Sequence, residues 1–156
     1  MTRSRPNRRR GRGAKPKFSH KISAHFSKRD FTCQESGQIR ISLGLVGALE
    51  QIRTLAENRV NIIKGYESPE VAEKKRTLKR NLHVQGIAAD ITVDNVSIYD
   101  LFTVAESVPE IKGIGLNVTD NYVHVDTRKE EDRRCWVEKD GETIDLTDEN
   151  RHEFFS

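Results

Sequence analysis

The sequence predicts a single α+β domain with a mostly antiparallel sheet flanked by helices. Three observations lead there. Stretches with apolar residues at steps of three and four alternate with short β-branched runs. The final runs are short and closely spaced, as antiparallel strands are. At 156 residues, with no internal repeat, the chain has the length of one domain.

The elements follow in order. In "ISAHFSKRDFTC", Phe26 and Phe31 offer apolar anchors, and Ser27 suits the N-cap of a short helical turn. The clearest helix begins at Ser42. Leu43, Val46, Leu49, Ile52, Leu55 and Ala56 recur at helical spacing, with Ser42 as cap and Asn58 as stop. "RVNIIKGY" predicts a strand ending at Gly65. "SPEVAEKKRTLKR" has Ser68 as N-cap, Pro69 at the first helical position and Glu70 in the first turn, giving a short basic helix or an ordered loop. "GIAADITV" predicts a second strand. "SIYDLFTVAESV" predicts a helix with Ile98, Leu101, Phe102 and Ala105 on one face. "GIGLNV" and "YVHVDTR" predict two strands joined by the turn-forming "TDN". "CWVEKDGETIDLT" predicts a hairpin around Asp140-Gly141.

Composition bounds the function. Charged residues make up 33% and hydrophobic ones 35%, enough for a modest core. The net charge of +3 hides an asymmetry. Residues 1–17 hold six Arg, two Lys and no acid, leaving 19 basic residues against all 24 acidic ones in the rest. Such a segment predicts a disordered basic tail ahead of a domain at 18–156, with weak contact to a polyanion as its partner chemistry. No aromatic residue is interleaved, so base stacking is not supported. No run of about 18 apolar residues predicts a membrane span. No apolar h-region follows the basic start. The expected location is cytoplasmic, or outside without a classical signal. Cys33 and Cys135 are too few and too far apart for a cysteine zinc knuckle. They predict two reduced thiols, with a Cys33–Cys135 disulfide as the alternative outside a reducing compartment.

Chemistry concentrates on His83, Asp90 and His124. Two imidazoles and one carboxylate suit zinc and leave a fourth position open. In "NLHVQGIAADITV", His83 precedes the strand, Asp90 lies within it, and Gly86 supplies a bend between them. In "YVHVD", Tyr122, His124 and Asp126 share one strand face, while Val123 and Val125 point to the core. Spacing alone leaves two readings open. One is a metal site; the other is a hydrogen-bonded core histidine with an aspartate capping a turn.

A resemblance narrows the choice. "HVQGIAAD" fits a His-x-x-Gly-x-Ala-x-Asp signature. It resembles that of the zinc D-Ala-D-Ala carboxypeptidase and D,D-dipeptidase superfamily of peptidases. "GIGLNVTDNYVHVDTR" followed by "RRCW" is similar to the second motif of its small murein endopeptidase and phage endolysin branch. "HFSKRDFTC" and "IIKGYESPE" resemble two further motifs in the same order. The likeness runs from about Ile22 to Trp136.

The resemblance implies a D-Ala-D-Ala peptidase/Hedgehog-like fold and Zn2+ held by His83, Asp90 and His124. It implies hydrolysis of peptide bonds in peptidoglycan stem peptides, or related D-amino-acid peptides, by attack of metal-bound water. The choice between carboxypeptidase and endopeptidase stays open. Many members carry a basic carboxylate three residues before the second histidine, where this chain has Asn121. Asp126 is then the first candidate for a catalytic carboxylate and Asp120 the second; either could instead orient a ligand histidine. The family's Gly-Tyr-Arg arginine is replaced by Glu67, which would repel an anionic group. Lys64, Arg76, Lys79, Arg80 and Arg128 are candidate replacement cations, with Arg128 nearest the site in the chain. The alternative implied is a metal-binding, non-catalytic member acting as a binding module, its basic tail on a polyanion.

Overall fold

The computed structural model describes residues 20–79 and 81–155. The expected basic tail at 1–17 and the start of the domain near Phe18 lie outside these residues.

Among the described residues, three α-helices and six strands form one α+β unit. The helices are α1 (Leu43–Ala56), α2 (Pro69–Lys74) and α3 (Ile98–Glu106). The strands are β1 (Val60–Lys64), β2 (Ala88–Val93), β3 (Gly113–Asn117), β4 (Tyr122–Asp126), β5 (Arg134–Lys139) and β6 (Glu142–Asp145). They make one sheet in the order β1-β2-β4-β3-β5-β6. Every pairing is antiparallel except β3 with β5, which is parallel.

Local signals account for most of these elements. Ser42 Oγ accepts from Leu45 N at the start of α1, and Ser97 Oγ accepts from Asp100 N at the start of α3. The expected stop of α1 at Asn58 comes earlier: Glu57 adopts a left-handed φ of 55° and closes the helix after Ala56. Ser27 and Asp30 form a capping box on the 3-10 turn Lys28–Phe31, which buries Phe31 beside Phe26. Asp140 and Gly141 both have positive φ, as the tight β5–β6 hairpin requires. Cys33 and Cys135 are free thiols.

The core lies on one side of the sheet. α3 packs on β2, β3 and β4, and α1 packs on α3 and β1. α3 buries Ile98, Leu101, Phe102 and Ala105, the face its periodicity predicts. α1 buries Leu45, Val46, Ala48, Leu49 and Ile52, each large side chain contributing about 1.5–3 kcal/mol. Leu43 and Leu55, expected on that face, are exposed at 77% and 53%. Leu43 sits roughly half a turn round from Leu45, and Leu55 lies in the last turn. The strands deliver Ala89, Ile91, Ile114, Leu116, Val123, Val125 and Val137 to this core.

Strand alternation turns the intervening residues to the opposite face. There Asp90 stands across from His124, Gly115 from His124 and from Trp136, and Asn117 from Tyr122 and from Glu138. The sheet thus keeps its apolar residues under the helices and gathers its polar ones on the other side.

Candidate metal centre

An open cleft of about 520 Å³ lies on that polar face. At its floor, one ligand atom from each of His83, Asp90 and His124 falls within 4.8 Å of the other two. Asp90 Oδ1 is the meeting point, 3.3 Å from His83 Nε2 and 3.0 Å from His124 Nδ1.

Each ligand is set by its local chain. Asp90 and His124 are direct cross-strand partners on β2 and β4. His83 comes from a turn instead. Asn81 Oδ1 accepts from His83 N, and Gly86 closes the turn with a φ of +72° that suits glycine. His83 Nδ1–H donates to the Gly65 carbonyl at 2.8 Å, which leaves Nε2 free to face Asp90. The bend at Gly86 therefore joins a turn-borne histidine to a strand-borne aspartate.

Asp126 lies beneath His124 and is fully buried. Its Oδ2 stands 2.8 Å from His124 Nε2, and Arg128 grips the carboxylate through Nε, Nη2 and its own backbone N–H. Asp126 is therefore not part of the cleft lining; it acts on the cleft through His124. Arg128 does line the cleft, but its guanidinium is engaged by Asp126 and lies 5.3 Å from the Trp136 ring centre. The Trp136 ring packs against His124, and its indole N–H donates to Glu138.

Two glycines explain "GIG". A Cβ on Gly113 would overlap the Asp126 carboxylate, and one on Gly115 would lie 2.5 Å from Trp136 Nε1. Bare backbone on β3 is what admits the carboxylate and the indole beside His124.

The electrostatics follow from this packing. Burial opposes charge on Asp90, but hydrogen bonds from His124 and His83 outweigh it and hold the carboxyl well below the usual range. Asp126 is held low likewise, against burial, by Arg128 and His124. Burial also opposes charge on His124, yet its bonds to Asp126 and Asp90 raise it to about 9. Burial, then the charge of Asp90, pushes the Tyr122 hydroxyl up to about 12. Two imidazole nitrogens, each ring held by a fixed partner, and a carboxylate oxygen form a borderline donor set with room for an outside ligand. The set fits zinc.

The remaining candidates separate. Asp120 is exposed and lies in a different depression, with Thr119 and Gly141, so the structure does not bring it to the cleft. Asn121 sits in the β3–β4 turn with a φ of 58°. Lys64, Arg76 and Lys79 line the cleft, while Arg80 lies outside the described residues. Glu67 is buried and lines a neighbouring depression, so the expected repulsion by a carboxylate facing the site does not arise from its position. Two charged cleft residues were not singled out in the sequence. Lys75 follows a short helix that gives no site signal. Glu138 was legible, since it lies two residues after Trp136 on one strand.

The Peptidase M15 family profile matches residues 19–126. The chain belongs to the Peptidase M15 family. The match spans every ligand candidate and the Gly65–Glu67 segment that His83 leans on. Trp136 and Glu138 lie beyond it, on β5. A search of curated proteins found none that matches. Among the described residues of this M15 chain, no helix is long and apolar enough to cross a membrane.

Proposed function

We propose that this M15 protein is a zinc-dependent metallopeptidase that hydrolyses peptide bonds in peptidoglycan stem peptides or related D-amino-acid peptides. The observation that carries the reading is the convergence of His83, Asp90 and His124 in an open cleft of an M15 chain. Zinc, when bound, supplies Lewis-acid activation of water and of the scissile carbonyl.

The chain's own residues do the rest. His83 is fixed by Gly65, and His124 by Asp126, which in turn is held by Arg128. Asp126 is therefore a positioning residue. Among the described residues, Glu138 is the cleft-lining carboxylate that is not a ligand candidate, and we assign it the transfer of a proton from the attacking water to the leaving amine. Trp136 and Tyr122 line the same cleft.

The experiment is metal analysis with hydrolysis of purified muropeptides, followed by mass spectrometry. Near-stoichiometric zinc and cleaved stems are expected, and His124→Ala should lose both. Glu138→Gln should keep zinc and lose turnover. Zinc-replete wild type that leaves every stem peptide intact would overturn the catalytic reading. That outcome would favour a metal-binding member without turnover, a reading supported by Asn121 at the place of the family's basic carboxylate.

A further inference from the structure

We infer that the cleft takes its substrate by a free peptide carboxylate held on Lys64, and that a bulge in β1 and the buried carboxylate of Glu67 set that lysine in place. The inference rests on the peptidase reading and names the feature the same site recognises.

The bulge comes first. β1 pairs with β2 in the register Val60↔Val93, Asn61↔Thr92 and Ile62↔Ile91, then slips so that Lys64 stands across from Asp90. In an unbroken ladder Ile63 would face Asp90. Lys64 would then face Ala89, whose side chain is in the core. Ile63 is the extra residue and is 48% exposed. The slip turns Lys64 onto the face of a metal-ligand candidate, as bulges beside functional sites do. Side chains directly opposite in such a pair are near neighbours.

Glu67 comes second. It is 1% exposed, and neither carboxylate oxygen has a conventional hydrogen bond among the described residues. Its partners are ammonium groups: Lys64, in direct ion pairing, and Lys75 at 3.9 Å. A buried carboxylate without a cation is strongly disfavoured, so Glu67 restrains Lys64. Lys64 keeps 38% side-chain exposure and lines both the metal cleft and the depression that Glu67 lines. Lys75, Arg76 and Lys79 continue the same wall, against Asp90 and Glu138 as the acids of the lining. Such a wall attracts an anion, and a lysine ammonium meets a carboxylate as a point charge. The glutamate that stands where relatives carry an arginine thus recruits a cation rather than excluding an anion.

The test uses two acetylated D-alanyl-D-alanine peptides, one ending in a free carboxylate and one in a carboxamide. Binding is measured by calorimetry on the zinc-loaded full chain carrying Glu138→Gln, which on the peptidase reading keeps zinc without cleaving the probe. Zinc content, peptide integrity and melting temperature are controls. In that background, the chain with Lys64 and Glu67 unchanged serves as wild type. Wild type should prefer the carboxylate by about tenfold. Lys64→Met and Glu67→Gln should each cut the preference below about threefold, and Lys64→Arg should keep it. Equal binding of both peptides by wild type, or no binding of either, overturns the inference. So does full preference in Lys64→Met. Full preference in Glu67→Gln overturns the positioning role. Should Glu67→Gln or Lys64→Met fail to fold, the Lys64→Met/Glu67→Gln double variant, which leaves no buried charge unpaired, decides by comparison with Lys64→Arg. No turnover is needed for this readout. Absence of hydrolysis would therefore strike the peptidase reading and leave the binding result standing.

Discussion

His124 Nε2 stands 2.8 Å from Asp126 Oδ2, at the opposite edge of the ring from the nitrogen that faces Asp90. One imidazole is thus gripped between two carboxylates, one in the cleft and one beneath it. Asp126→Asn keeps the shape and removes the charge. The expected result is a roughly 10–100-fold loss of zinc affinity with the fold retained. Competition against a chelator of known affinity measures it. Unchanged affinity would show that Asp126 does not orient the ring.

Gly115→Ala tests the space given to Trp136. The added methyl meets the indole at 2.5 Å, so the ring must leave its seat against His124. A cost of about 1–3 kcal/mol is expected, with a shift in the fluorescence of the sole tryptophan. Thermal unfolding and an emission spectrum check both. A variant that matches wild type in both would mean that the indole is not confined there.

Arg133→Ala tests a buried tie at the end of α3. The guanidinium donates to the carbonyl of Glu106 at the end of α3 and to those of Val108 and Ile111 just beyond it. Losing a charged donor to such carbonyls is expected to cost about 1.5–3 kcal/mol. Arg133→Lys should recover part of this, since one ammonium cannot span three acceptors. Denaturant midpoints with constant slope would give the numbers; no change in midpoint for the alanine variant would refute the tie.

Acid should loosen the segment before α1. Glu50 accepts from Ser23 Oγ, His25 N and His25 Nδ1 at 2.6–2.7 Å. Burial opposes its charge, but these bonds outweigh it and lower its pKa from the ordinary 4.5. A carboxyl depressed on folding contributes stability above its unfolded pKa, and that contribution is lost as pH falls through the folded value. Unfolding free energies measured from about pH 6 down to about pH 3 should therefore decline less steeply in Glu50→Gln than in wild type. Parallel curves would rule out the contribution.

Much of this was legible in the sequence because the signals are local. Caps at Ser27, Ser42 and Ser68 mark real helix starts, and the apolar face of "SIYDLFTVAESV" marks α3. Alternation in "YVHVD" sends the two valines inward and His124 outward. What escaped is non-local. The single parallel pairing of β3 with β5 depends on where the chain returns after Asp126, which no periodicity records. The slip at Ile63 is a property of two strands together. The burial of Glu67 beside Lys64 and Lys75 depends on how the segments around it pack. The exposure of Leu43 shows that a count of apolar residues at helical steps overreaches in the first turn.

His83 differs in kind from its two companions. Asp90 and His124 belong to interior strands of the sheet, whereas His83 hangs from the 81–87 turn. Opening that turn takes far less disruption than unpairing β2 from β4. Release of a bound ion is therefore expected to begin with His83 letting go. The off-rate, followed by stopped-flow transfer to a chelator, should track the opening of the turn rather than global unfolding. On the metal-centre reading, the turn that carries His83 would then set the residence time of the ion.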